Sequence, residues 1–156
     1  MIEHTWLLGN ENFLLIEEEV IKTINSFRQL GFDPEAGGCL FGFYRGCHIH
    51  ITNCTYPKQG DNRLPLRFDR KDRFHLDYAK NLYKRSKNTC TYFGEWHTHP
   101  QDNPTPSGFD YREWDKITNL RKEWKTITIV VGRKKLWVGA GDIFNPIRNL
   151  LKQTNS

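Results

Sequence analysis

The sequence predicts an α/β sandwich in which a mixed β-sheet is flanked by helices. Three observations carry this prediction. Stretches of helical apolar spacing alternate with short strand-like runs. Gly and Pro punctuate the boundaries between them. The length of 156 residues suits a single domain over 1–156, able to bury roughly 68–70% of its unfolded surface without disulfide or metal props.

The elements follow in order. Between Phe13 and Leu30 the apolar positions Leu14, Ile16, Val20, Ile21, Ile24, Phe27 and Leu30 fall near helical spacing, with Gly31 as the expected stop. Cys39–Tyr44 and His48–Cys54 read as a hairpin turned near Arg45-Gly46. Residues 55–69, with Pro57, Gly60 and Pro65, read as a long surface loop. A second helix is expected over 71–86, and Thr91–His97 reads as a strand. A loop holding Pro100, Pro104 and Pro106 leads to a third helix, from near Ser107 to about Glu123. Thr126–Val131 and Leu136–Ala140 complete the sheet.

Composition narrows the class. Apolar residues make up 37%, aromatic 13% and charged 26%, which argues against both disorder and a coiled coil. No apolar run is long enough for a transmembrane helix, and the first thirty residues lack a secretory pattern. Cys39, Cys47, Cys54 and Cys90 show no CxxC spacing and are expected as reduced thiols in a cytoplasmic protein, with Cys39 and Cys47 packed in the core. The tryptophans at 6, 114, 124 and 137 are assigned to the core as well. The net charge of +5 is uneven: residues 58–87 carry ten basic and four acidic side chains. Such a band steers acidic partners or nucleic acid. No nucleic-acid motif accompanies it, so a solvated helix face is the better reading and nucleic acid the lesser one.

The chemistry concentrates in His97-Thr98-His99-Pro100 and Ser107-Gly108-Phe109-Asp110. Strand residues two apart share a face, so His97 and His99 can present two imidazoles to one ion. Imidazole suits zinc, and a catalytic site needs a third ligand and an open position. Asp110 is the natural third ligand if the proline-rich loop returns the helix start beside the strand end. A carboxylate must then move protons, and Ser107 can donate to a developing oxyanion. Ser107-x-x-Asp110 also reads as a helix cap; the two roles are compatible. His48-Ile49-His50 has the same HxH spacing without a downstream Ser and Asp, and is assigned a structural role.

The joint pattern HxHP, six residues, SxxD resembles the JAMM (MPN+ or JAB) zinc metallopeptidase family. The resemblance covers most of the chain. It implies a JAMM/MPN-type fold, one zinc ion held by His97, His99 and Asp110, and Ser107 stabilising the tetrahedral intermediate. The family's upstream Glu lies on or near the first strand after the N-terminal helix, and Glu35 fits that place. Glu95, on the histidine face of its strand, is at most a supporting residue, and Glu17, Glu18 and Glu19 read as a solvent face. The resemblance further implies hydrolysis of the amide or isopeptide bond after the C-terminus of ubiquitin or a ubiquitin-like protein. The wording from Gly94 to Pro100 is similar to the prokaryotic branch, and within it to deconjugating peptidases of bacterial CBASS antiphage operons. Those release a CD-NTase-type nucleotidyltransferase joined to its targets by its C-terminus, so the implied partner is a C-terminally conjugated protein, with no membrane.

Other readings stand beside this one. The same site would serve a peptidase that processes a sulfur-carrier or ubiquitin-like precursor. A non-catalytic MPN scaffold is opposed by the complete residue set. The chain has no HExxH and no GxSxG, and Cys90 lacks an orienting partner for nucleophilic work.

Overall fold

A computed structural model describes residues 4–9 and 11–154. One seven-stranded sheet forms the centre, with strand order β1-β2-β4-β3-β7-β8-β9. The strands are β1 (Thr5–Leu7), β2 (Phe13–Ile16), β3 (Gly37–Arg45), β4 (His48–Cys54), β7 (Thr91–Thr98), β8 (Thr126–Val131) and β9 (Leu136–Gly141). A separate hairpin, β5 (Asn62–Leu64) and β6 (Arg67–Asp69), lies between them in sequence. β2 runs parallel to β4, and β7 parallel to β8; the other pairs are antiparallel. The sheet is therefore mixed, as predicted.

Helices cover both faces. Val20, Ile21 and Ile24 of α1 (Glu18–Asn25) join Leu40, Ile51, Trp96 and Ile129 in the main core. On the opposite face, α2 (Phe74–Arg85) packs Tyr78, Ala79 and Leu82 against Cys39 and Phe41. Trp114 of α3 (Gly108–Arg121) meets Val130 and Trp137. β8 is accordingly buried along its whole length, as a strand covered on both faces must be.

Several expectations need correction. The predicted helix over Phe13–Leu30 is two elements, β2 followed by α1. β2 alternates exposed and buried side chains, so Leu14 and Ile16 obey a period of two, while Val20, Ile21 and Ile24 obey the helical one. Placed end to end, the two patterns mimic one long helix. Gly31, at φ +67, makes a turn after the helix has already ended. The loop over 55–69 contains the β5–β6 hairpin, whose mostly exposed residues show no apolar alternation. Trp124 is half exposed against Tyr44, and Cys47 is exposed between β3 and β4 rather than in the core.

One irregularity aims the site. Opposite the register shift between Leu40 and Phe41, β7 carries an extra residue, and Gly94 takes φ +154. A Cβ there would run into the Ile127 carbonyl. The bulge lets Phe93 and Trp96 both enter the main core. Glu95 and His97 then face the other side, towards a cleft.

Candidate metal centre

The floor of a cleft of about 790 Å³ is formed by Glu35, His97, His99 and Asp110. His97 comes from the end of β7 and His99 from just beyond it, where its N–H bonds the Val131 carbonyl. The loop that follows is pinned by Arg133 Nε on Asp102 at 2.9 Å and by the Arg133 N–H on the Gln101 carbonyl at 2.7 Å. It delivers the start of α3 to the strand end, as the proline-rich spacing predicted. There Ser107 and Asp110 form a capping box: the Asp110 N–H donates to Ser107 Oγ, and the Ser107 N–H to Asp110 Oδ2.

The donor atoms converge. His97 Nε2 and His99 Nε2 lie 3.1 Å apart. Asp110 Oδ1 is 3.3 Å from His97 Nε2, and Oδ2 is 3.2 Å from His99 Nε2. Ligands about 2.0 Å from a tetrahedral zinc ion sit roughly 3.3 Å from one another, and each imidazole nitrogen lies at about that spacing from the other and from its nearer Asp110 oxygen. Its chemistry fits too. Two imidazole nitrogens turned toward each other and toward a carboxylate repel through their lone pairs unless a proton or a cation lies among them.

Glu35 joins this set more loosely, its carboxylate and the two imidazoles offering ligand atoms within 4.8 Å of one another. Asp110 contacts both imidazoles more closely, so either carboxylate is placed to share an ion with His97 and His99. Glu35 is buried at the entrance to β3, and its N–H bonds the Leu64 carbonyl at 2.8 Å. Burial pushes its carboxyl up to about 7, against the pull of His97 and His99. Burial also acts upward on Asp110, but hydrogen bonds from both histidines hold it well below the usual carboxylate range. Burial works against a charged His97; the Asp110 hydrogen bond and charge outweigh it and raise its pKa.

The surroundings assign the remaining residues. Gln101 Oε1 faces His99 Nδ1 at 3.3 Å and accepts the Thr105 N–H at 3.1 Å. A proton on Nδ1 leaves the Nε2 lone pair for a metal. Gln101 was not singled out by sequence, although its place two residues after His99 is a local signal. Glu95 pairs with Arg70 at 3.1 Å in the cleft wall, and its charge acts to raise the His97 pKa. His48 and His50 stand apart from the site. His48 Nδ1 accepts the Phe13 N–H, and His50 Nε2 pairs with Glu17 at 2.5 Å, so this HxH is structural as expected and Glu17 is not merely solvated.

The two cleft walls are the β5–β6 hairpin and the start of α3. Arg67 reaches across to stand 5.4 Å over the Phe109 ring. Phe68 lies so close over Gly37 that a Cβ there would meet its ring at 2.5 Å.

Comparison with known proteins agrees with this architecture. Residues 17–141 match the family described as prokaryotic homologs of the JAB domain. A protein of Escherichia coli named "CD-NTase/cGAS isopeptidase" is 37% identical over 144 residues, covering 92% of this chain and 90% of its own. Proteins of the same name from Pseudomonas aeruginosa and Vibrio cholerae are 37% and 36% identical, covering 80% and 81% of this chain and 86% and 80% of their own. A solution structure of a protein from Desulfitobacterium hafniense shares the fold, with a TM-score of 0.61 at 17% identity over 87% of this chain and 90% of that one. With a match spanning the helix-and-sheet framework and the HxHP and SxxD segments together, the chain belongs to the prokaryotic JAB-domain family.

Proposed function

We propose that this protein is a zinc-dependent isopeptidase that releases a C-terminally conjugated protein from its targets. The observation that carries the reading is the convergence, at 3.1–3.3 Å, of the two imidazole nitrogens and the Asp110 carboxylate, with the buried Glu35 carboxylate beside the same histidines. The names of the relatives point to conjugates of a CD-NTase as the substrate.

His97, His99 and Asp110 would hold the ion. A zinc ion so held supplies Lewis acidity toward a carbonyl and lowers the pKa of a water from 15.7 toward about 7. Glu35 does the proton work. Beside a bound cation it gives up part of its upward shift, is ionised, accepts a proton from the attacking water and returns it to the leaving lysine amine. The Ser107 hydroxyl accepts from the Asp110 N–H, which leaves its own hydrogen to donate to the carbonyl oxygen as charge develops there.

The cleft suits an extended chain end. β6 pairs with β5 on one side and, among the described residues, with no strand on the other. Its residues Arg67, Phe68 and Asp69 line the cleft. A tail laid along that edge gains backbone hydrogen bonds. The narrow passage between hairpin and α3 favours small residues at its end.

The test is capture. A Glu35→Gln variant loaded with zinc and expressed in the native host is expected to retain uncleaved conjugates, since the binding groups remain while proton transfer fails. Mass spectrometry should show a partner joined through its C-terminus. Recovery of no conjugate by a variant that still binds one zinc per chain would count against the reading.

A further inference from the structure

We infer that Gln29 is a positioning residue, whose buried amide locks the Glu35 segment and the hairpin tip to the strand end that carries His97 and His99. This inference rests on the isopeptidase reading for its catalytic consequence. Its structural basis is independent of that reading.

Gln29 lies after α1, outside any helix or strand, and is 1% exposed. A long polar side chain so deeply buried must satisfy its hydrogen bonds, and it does so with three separate segments. Its Nε2 donates to the Asp33 carbonyl at 3.1 Å and to the Pro65 carbonyl, at the hairpin turn, at 3.0 Å. Its Oε1 accepts from Thr98 Oγ1 at 2.9 Å. Thr98 stands between the two histidines. It also clamps the residue after Glu35 from both sides: its Oγ1 accepts the Ala36 N–H at 2.9 Å, and its own N–H donates to the Ala36 carbonyl at 2.9 Å. Glu35 itself is tied to Leu64, the neighbour of Pro65, by its N–H at 2.8 Å.

Glu35 is thus tied to the hairpin by Leu64 and by Arg63 Nε, which donates to its carbonyl at 3.2 Å, and to the histidine strand through Ala36 on Thr98; Gln29 joins the two sides. No element of regular structure does this, because residues 31–36 form neither helix nor strand. Without Gln29 the segment keeps its Arg63 and Leu64 bonds to the hairpin but loses the buried tie between the hairpin and the histidine strand. A displacement of about 1 Å at a reacting group can cost 100-fold in rate.

The experiment uses the zinc-loaded full chain and two readouts, amide hydrogen exchange and turnover of captured conjugate. Gln29→Leu is expected to raise exchange at Glu35 and Ala36 at least about tenfold while β8 stays protected, and to lower kcat about 10- to 100-fold. Thr98→Val should reproduce both effects. Thr98→Ser, which keeps the hydroxyl, should hold both within about twofold of wild type. The double variant Gln29→Leu with Thr98→Val should lose less than the product of the two single losses, because the Gln29–Thr98 bond is removed in both.

Unchanged exchange at Glu35 and Ala36 in Gln29→Leu would overturn the inference. So would an equal rise in β8, which marks global loosening, or equal losses for Thr98→Ser and Thr98→Val. A wild-type chain that cleaves no conjugate sinks the isopeptidase reading alone, because the exchange readout still decides what Gln29 does.

Discussion

Ser107 shows how one side chain can serve fold and reaction together. As the N-cap of α3 its oxygen accepts the Asp110 N–H, and in the proposed reaction its hydrogen meets the developing oxyanion. Ser107→Ala should therefore lose about 1 kcal/mol of stability and 100- to 1,000-fold in kcat, read from urea unfolding and from turnover at saturating substrate. A variant that loses the stability and none of the turnover would leave Ser107 as a cap and nothing more. At this scale the site was partly legible. His97, His99, Ser107 and Asp110 stand within fourteen consecutive residues, and their spacing alone implies a shared pole of strand and helix. Glu35 carries no such spacing and emerged only through family likeness. Gln29 gave no signal, because its partners Pro65 and Thr98 lie 36 and 69 residues away.

At the scale of elements, the β5–β6 hairpin depends on a buried polar anchor. Asp61 Oδ1 accepts the N–H groups of Lys71 and Asp72, both at 2.7 Å, and Oδ2 accepts from Lys58 N–H at 2.9 Å and faces His75 Nε2 at 2.6 Å. His75 in turn meets Thr55 Oγ1, which accepts the Cys39 N–H. Burial acts to raise the Asp61 pKa, but the hydrogen bonds from Asp72, His75, Lys58 and Lys71 win and hold it below its ordinary value. A depressed folded pKa gives stability that is fully present above the unfolded value of about 3.9 and drains away as pH falls through the folded one. Asp61→Asn is expected to cost about 2–3 kcal/mol at pH 7, with the gap to wild type narrowing below about pH 4. Urea midpoints at pH 7 and pH 3 check this, and a gap that stayed constant would contradict it. Gly94→Ala is expected to cost more than about 2 kcal/mol, since the Cβ meets the Ile127 carbonyl at a backbone angle that L-residues rarely adopt. Wild-type stability in that variant would remove the bulge from the account. Buried strands and the capped helix α3 were legible in sequence from apolar period and turn residues. The hairpin was not, because it is held by Asp61 and by backbone bonds rather than by an apolar face. β2 was hidden by its contact in sequence with α1.

For the whole molecule, the charge asymmetry and the site occupy one region. Arg67, Arg70 and Lys71, from the basic band, line the same cleft as Glu35, His97, His99 and Asp110. Arg70 is engaged by Glu95, so the band is part of the cleft wall as well as a solvated face. Metal binding should also register in the stability of the entire fold. A ligand that binds only the native state stabilises it by about 2.7 kcal/mol at 100 times its Kd, so zinc should raise Tm of the wild type. The His97→Ala, His99→Ala double variant should show no such rise, and scanning calorimetry with and without zinc distinguishes the two. The central claim, hydrolysis at this centre, is tested most directly by the masses of the products. Conjugates captured on Glu35→Gln are incubated with wild-type protein, with chelator-treated protein and with the latter after zinc is returned. The expected products are a freed target lysine and a partner with a free C-terminal carboxyl, the pair heavier by one water, in the first and third samples alone. Cleavage unaffected by the chelator, or cleavage by Glu35→Gln at the wild-type rate, would contradict it.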